Sequence, residues 1–348
     1  MKSFAPAVLA RLIPPPRLVQ IIRQIGEHKG REELFRSQAP EKLENLRRVA
    51  MVQSVESSNR IEGLTAPPAR LREIVQEKTT PKNRAEYEIA GYRDVLNTIH
   101  SSASDIEISP NVVLQFHRDL MKLGSNPGGR WKNTANVIEE TRPDGTRFVR
   151  FQPMEPYLTP EAMKELHVLF ARALRDGEVE PLILIALYDL DFLCIHPFSD
   201  GNGRMARLLA LLLLYHQGYG VGRYISLERL IEDTKETYYE ALYHASKGWH
   251  EGTHDPMPWI QYWLGTVLAA YREFESRVGS LTTGHGTKTD IVLQAIDNII
   301  GSFTISDLMA ACPSVDRDWI KTILERLKKE DKLTVSGRGR YARWQKAQ

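Results

Sequence analysis

Apolar residues recur at three- and four-residue spacing along most of this chain, the period of an amphipathic helix. From Glu41 to Asn59 the stripe is Leu43, Leu46 and Ala50, then Met51, Val52 and Val55. Gly63 follows, then Pro67 and Pro68, so a helix is expected to stop there. The period resumes across Asn83–His100, Asn111–Lys122, Pro160–Asp176, Pro181–Cys194, Gly203–Gln217, Glu232–Lys247 and Pro258–Arg277. Pro160, Pro181 and Pro258 fall where a first helical turn tolerates proline. Residues 1–40 read as a proline-punctuated arm with a short helix near Leu18–Gly26.

One stretch breaks the pattern. In "NVIEETRPDGTRFVRFQPM" β-branched and aromatic residues flank "PDGT", a hairpin signal. "GSLTTGHGTKT", residues 279–289, has linker composition. Beyond it three helical stretches and two short strands around a glycine turn predict a winged helix-turn-helix. The expected fold is mainly α, a helical body carrying one hairpin, with a small C-terminal domain.

Composition narrows the class. With 348 residues the chain can hold two or three domains, and a net charge of +2 gives no global pull toward nucleic acid or membrane. The only cysteines, Cys194 and Cys312, are far apart, which suits a reducing compartment and excludes a disulfide scaffold. The N-terminal apolar stretch is broken by Arg11 and prolines, so no signal peptide is expected. The apolar run Leu208–Tyr215 is too short to span a bilayer. A cytoplasmic protein without membrane contact follows.

The chemistry concentrates in "HPFSDGNGRMAR", residues 196–207. It joins two apolar helices and opens the second. A helix N-terminus attracts anions, and Gly201 and Gly203 remove the Cβ atoms that would keep a ligand from that backbone. Arg204 and Arg207 share a helix face, and guanidiniums match phosphate oxygens. Asp200 is a hard ligand suited to a Mg²⁺ that bridges phosphates. His196 titrates near neutrality and can take a proton from an attacking hydroxyl. These residues predict a magnesium polyphosphate site with a base beside it, transferring a phosphate-containing group to a hydroxyl.

This stretch resembles the Fic-domain signature HPFx(D/E)GNGRxxR at every specified position. The resemblance implies a Fic helical-bundle core and AMP transfer from ATP to a Ser, Thr or Tyr hydroxyl of a target protein. It implies His196 as general base and Asp200 as the Mg²⁺ ligand. Asn202, Gly203 and Arg204 would cradle the α- and β-phosphates, with Gly201 in the same turn, and Arg207 would meet the γ-phosphate. Phe198 would anchor the loop. The hairpin resembles the flap that aligns a target segment by strand addition. "TKETYYEALYHAS" resembles the helix with adenine contacts, offering Tyr238 or Tyr239.

"SSNRIEG", residues 57–63, resembles the family's inhibitory motif (S/T)xxxE(G/N) through Ser58, Glu62 and Gly63. There the glutamate pairs with the signature's second arginine, here Arg207, occupying the γ-phosphate position. A carboxylate at a helix C-terminus opposes the dipole, which itself suggests a partner for Glu62. The motif's position matches the class with an N-terminal inhibitory helix, and a C-terminal winged helix is a common companion there. The expected layout is an arm and inhibitory helix over 1–80, a Fic core over 81–278, a linker over 279–289 and a winged helix over 290–348. Inhibitory helices can act between subunits, so a homodimer is compatible with the motifs.

Cys194 reads as packing. "GNGRMA" formally fits a dinucleotide fingerprint, but no β-run precedes it. "HEGTH", residues 250–254, formally fits a zinc motif, but Gly248, Gly252 and Pro256 break the helix it needs. Residues 287–348 carry eleven Lys and Arg against eight Asp and Glu, little for a DNA reader, so protein contact or dimerisation competes with DNA there. The rival functions are removal of AMP by the same site, transfer of UMP or phosphate, and a winged-helix transcription regulator using the Fic site as a nucleotide sensor.

Overall fold

The computed structural model describes residues 1–38, 40–122, 128–141, 146–282, 288–299, 302–312, 315–337 and 342–346. The chain runs through α1 (Pro6–Leu9), α2 (Pro16–Gln38), α3 (Pro40–Ile61), α4 (Pro68–Val75), α5 (Arg84–Ser102) and α6 (Pro110–Leu120). An antiparallel pair follows, β1 (Ile138–Thr141) and β2 (Arg147–Phe151). Then come α7 (Thr159–Asp176), α8 (Pro181–Ile195), α9 (Asn202–His216), α10 (Leu227–Asp233), α11 (Lys235–Ser246) and α12 (Met257–Thr282). The C-terminal part holds α13 (Lys288–Asn298), α14 (Ile305–Ala311), α15 (Arg317–Lys329), β3 (Leu333–Ser336) and β4 (Arg343–Lys346). The protein is mainly helical, as expected, and no described helix is long and apolar enough to cross a membrane.

Helix α8 is the centre of the body. Every residue from Leu182 to Ile195 is buried, because the helix is apolar on all sides and α7, α9, α11 and α12 surround it. Two carboxylates, Asp189 and Asp191, go into this core with it. Asp191 accepts hydrogen bonds from the Ser3 backbone N–H, the Ser3 hydroxyl and Trp249 Nε1. These bonds satisfy the buried carboxylate and tie the N-terminal arm to the core. The C-terminal elements enclose a separate cluster that includes Val292, Ile296, Phe303, Leu308, Leu324 and Trp344.

The structure departs from the periodicity in four places. The helix expected near Leu18–Gly26 extends from Pro16 to Gln38. Leu18, Ile25 and Glu32 are buried along one face, and Glu32 accepts from Tyr271 of α12, so packing overrides the low propensity of Gly26 and Gly30. Helix α4 was hidden because Pro67-Pro68 reads as a terminator, whereas Pro68 opens a new first turn. The stripe over 232–247 is split at Thr234 between α10 and α11. Helix α12 continues to Thr282, into the stretch of linker composition, whose residues 283–287 lie outside the described ones. The "PDGT" turn lies outside them too, apart from Thr146.

Candidate active site

Helix α8 ends at His196, which adopts a left-handed conformation with φ +50°. A non-glycine residue held this way costs about 1–3 kcal/mol and persists only when its surroundings enforce it. The enforcement comes from the loop that follows. Phe198 is fully buried, stacked on His117 with ring centroids 3.6 Å apart and on Trp131 at 5.3 Å. Asn202 closes the loop on itself. Its Oδ1 accepts from the Phe198 N–H at 2.9 Å and its Nδ2 donates to the Phe198 carbonyl at 2.7 Å. Gly201, at φ +82°, then turns the chain into α9.

His196 Nδ1 lies 3.3 Å from the Leu193 carbonyl. Donation along that contact leaves Nε2 as a free acceptor, the state a base requires. Burial, helped by the charge of Lys132, lowers the His196 pKa to about 4. Lys132 is itself buried and donates to the Ile195 carbonyl and to Asn136 Oδ1. Burial brings its pKa down to about 8.

Arg207 is the hub of the second half of the site. Its Nε donates to Ser58 Oγ at 2.9 Å, and Nη2 donates to the Ser58 carbonyl at 2.9 Å and to Glu62 Oε1 at 2.8 Å. The side chain is 4% exposed and that of Glu62 31%. Burial disfavours both charges, yet each charge supports the other. The Glu62 pKa ends below the usual carboxylate range, while that of the Arg207 guanidinium is raised. Gly203 makes this approach feasible, since a Cβ there would collide with Glu62 Oε1. Gly63, at φ +78°, ends α3, with the Leu64 N–H bonded to the Asn59 carbonyl and the Gly63 N–H to that of Arg60. That cap fixes where Glu62 points.

A cleft of about 340 Å³ joins these groups. Glu62, His196, Gly203, Arg207, Tyr238 and Tyr239 line it, with Ile138, Arg150 and Phe151 of the hairpin facing Leu242 and Tyr243 of α11. The other expected residues are placed differently. Asp200 sits at the exposed rim, where its carboxylate accepts from the Gly201 N–H and from Arg84 Nη2. Arg204 is 1% exposed, and its Nη1 lies 2.7 Å from Glu88 Oε2, an ion pair by distance whose angle falls short of a hydrogen bond. The side chains of Asn202 and Arg204 thus brace the loop and do not line the cleft. Phe198 and Gly201 stand behind it as well.

Sequence reasoning missed several supports. His117 accepts from the Gly129 N–H at Nδ1 and meets the Asp200 carbonyl at 3.1 Å through Nε2. Arg84, Glu88, Lys132 and Asn136 complete the frame. Only Glu88 carried a signal, as a carboxylate on the apolar side of a predicted helix. Replacing Asn202 by alanine removes both clamps and strands the buried Phe198 N–H. It should cost about 1–3 kcal/mol, read as a lower melting temperature.

Among the described residues no three His, Cys, Asp or Glu side chains gather as a metal cluster. A Mg²⁺ held by one carboxylate and by nucleotide phosphates does not need such a cluster. Asp200, partly exposed beside the helix N-terminus, fits that donor set.

Comparison with known proteins follows the same lines. Residues 107–214 match the model of the Fic/DOC family. "Protein adenylyltransferase fic-1" from Caenorhabditis elegans is 25% identical over 266 residues, 74% of this chain and 48% of that protein. "Protein adenylyltransferase Fic" from Drosophila erecta is 28% identical over 184 residues, 51% of this chain and 34% of that one. The chain therefore spans between a third and a half of the length of these curated relatives. Among solved structures, a Fic family protein from Desulfovibrio desulfuricans G20 superposes with TM-score 0.62 at 22% identity, covering 96% of both chains. Fic-1 from C. elegans gives TM-score 0.58 at 22% identity, covering 74% of this chain and 72% of that one. The chain contains a Fic domain.

Proposed function

We propose that this Fic domain transfers AMP from ATP to a hydroxyl side chain of a protein target, and that Glu62 holds it off. The observation that carries the reading is the Arg207–Glu62 pair, 2.8 Å apart in the cleft that His196 also lines. An arginine so placed is an anion receptor whose receptor site is filled by the protein's own carboxylate.

In the released state the triphosphate tail takes the place of Glu62 at Arg207, and the backbone N–H groups at the start of α9 meet it as a helix N-terminus meets any anion. The target hydroxyl gives its proton to His196 Nε2. Its oxygen forms a bond to the α-phosphorus as the bond to pyrophosphate breaks, leaving AMP on the target. Mg²⁺, bound through Asp200 and the phosphates, would neutralise charge on the tail. The hairpin, whose Ile138 and Phe151 line the cleft, is suited to guide the target segment past His196. Tyr239, Leu242 and Tyr243 supply an apolar wall for the base.

We read the chain as a regulatory arm, a core over 81–278, a linker and a C-terminal winged helix, although α12 runs past the expected core boundary to Thr282. Helix α15 exposes Trp319 beside Arg317 and Lys321, which favours contact with a protein over a purely phosphate-reading surface. The two buried cysteines fit a reducing cytoplasm.

The test is label transfer from α-labelled ATP into a lysate with the Glu62→Gly chain, followed by mass spectrometry of labelled proteins. Label on Ser, Thr or Tyr as AMP supports the reading, and transfer of only the terminal phosphate or of UMP would replace it. A pH profile adds a second check. With its pKa at about 4, His196 stays neutral, and so competent, down to about pH 5. The acid limb of kcat/KM should therefore fall near or below pH 4, not near 6.5.

A further inference from the structure

Helix α8 carries Asp189, an ionisable group that the mechanism above leaves unused. Asp189 is buried, 5% exposed, and among the described residues its carboxyl makes no hydrogen bond and no ion pair. It faces a small internal cavity of about 30 Å³, large enough for a water or two. Arg207 and Tyr238 line this cavity and also line the nucleotide cleft. Those two side chains are thus the wall between the spaces, with Glu62 in front of it and Asp189 behind.

We propose that Asp189 is a positioning residue that tunes, from behind the wall, how tightly Arg207 holds an anion in the cleft, loosening that hold when it ionises. The ground is competition. One guanidinium divides its charge between a carboxylate in front and one behind, so negative charge at either position weakens the attraction at the other. The front position belongs to Glu62 in the inhibited state and, on the adenylyl-transfer reading, to the triphosphate in the active one. Asp189 is neutral when burial prevails and ionises when Arg207 has charge to spare. Burial raises its pKa to about 7, with Arg207 pulling it back down.

The other groups around Asp189 leave Arg207 as its counter-charge. From α10, Glu228 faces the same cavity, but its carboxylate is taken by the hydroxyls of Ser54, Ser226 and Tyr92. Tyr238 of α11 and Tyr262 of α12 face it as phenols whose pKa values are raised by burial. On α8 the neighbouring Tyr188 is held by His167 of α7.

The sign follows from linkage. Anion binding in front raises the proton affinity of Asp189, so the anion binds best at low pH and less well as pH rises through the titration of Asp189 in the free protein. In the Glu62→Gly background, the KM for ATP should climb with pH roughly fivefold or more above that of the Asp189→Asn variant. The two should converge near pH 5.5, with the ratio of their kcat values constant. A KM ratio that stays constant between pH 5.5 and 9 would mean a merely structural role and would overturn the proposal.

A second measurement does not depend on how Asp189→Asn folds. Calorimetric titration of the Glu62→Gly chain with a non-hydrolysable ATP analogue, in buffers of different ionisation enthalpy, should reveal proton uptake on binding near pH 7. No uptake sinks the proposal even if label transfer is intact. Uptake without any label transfer would instead overturn the adenylyl-transfer reading and leave the role of Asp189 standing.

Discussion

Glu62→Gly should raise AMP transfer roughly 10- to 150-fold, the factor that corresponds to losing one charge-assisted contact of about 1.5–3 kcal/mol. On the proposed reading the Glu62 carboxylate, 2.8 Å from Arg207, neutralises it and repels an incoming polyphosphate. Glycine removes both effects, and position 62 tolerates it because the chain leaves α3 there in any case. Arg207 keeps its bonds to the Ser58 hydroxyl and carbonyl, so the receptor stays aimed. The measurement is the initial rate of label incorporation from α-labelled ATP, on the chain itself or on a target. An unchanged rate would mean that the pair is a structural ion pair. If Glu62→Gly abolished an AMP-removing activity instead, Glu62 would be orienting a water and the reaction would run in reverse.

His196→Ala in the Glu62→Gly background should lower transfer by about 10²–10⁴-fold, the range for loss of a positioned general base. Nucleotide affinity should change little, because Gly203 and Arg207 remain. The split matters, since a loss of both rate and affinity would point to collapse of the loop. Alanine inherits the left-handed backbone that His196 adopts, so a modest drop in melting temperature is expected as well.

Much of this site could be read from the chain because its chemistry is local. Twelve consecutive residues hold the proposed base, the proposed metal ligand, two glycines and two arginines, and the seven residues ending at Gly63 hold the proposed plug. Ser58, Glu62, His196, Gly203 and Arg207 meet as the motifs suggested. Asn202 and Arg204, expected at the phosphates, are engaged by the loop and by Glu88. Spacing says which residues share a helix turn, but not which direction is already filled by a partner such as Glu88, more than a hundred positions away in the chain. The same limit hid His117, which reaches the loop from α6, and Lys132, which reaches it from a stretch around 129–136 with no periodicity. The hydrophobic period located the body's helices well. It failed where proline opens a helix, at α4, and where tertiary contact extends one, at α2.

The end of α3 carries a further consequence. Glu62 is borne by a single terminal turn, closed by the bonds from Glu62, Gly63 and Leu64 to the carbonyls of Asn59 and Arg60. Fraying of one such turn is among the cheapest and most frequent excursions a folded chain makes, far below the free energy of global unfolding. A trigger therefore has no helix to dislodge. It needs only to prolong an opening that already recurs, and the unstimulated protein should leak at a low, steady rate instead of falling silent.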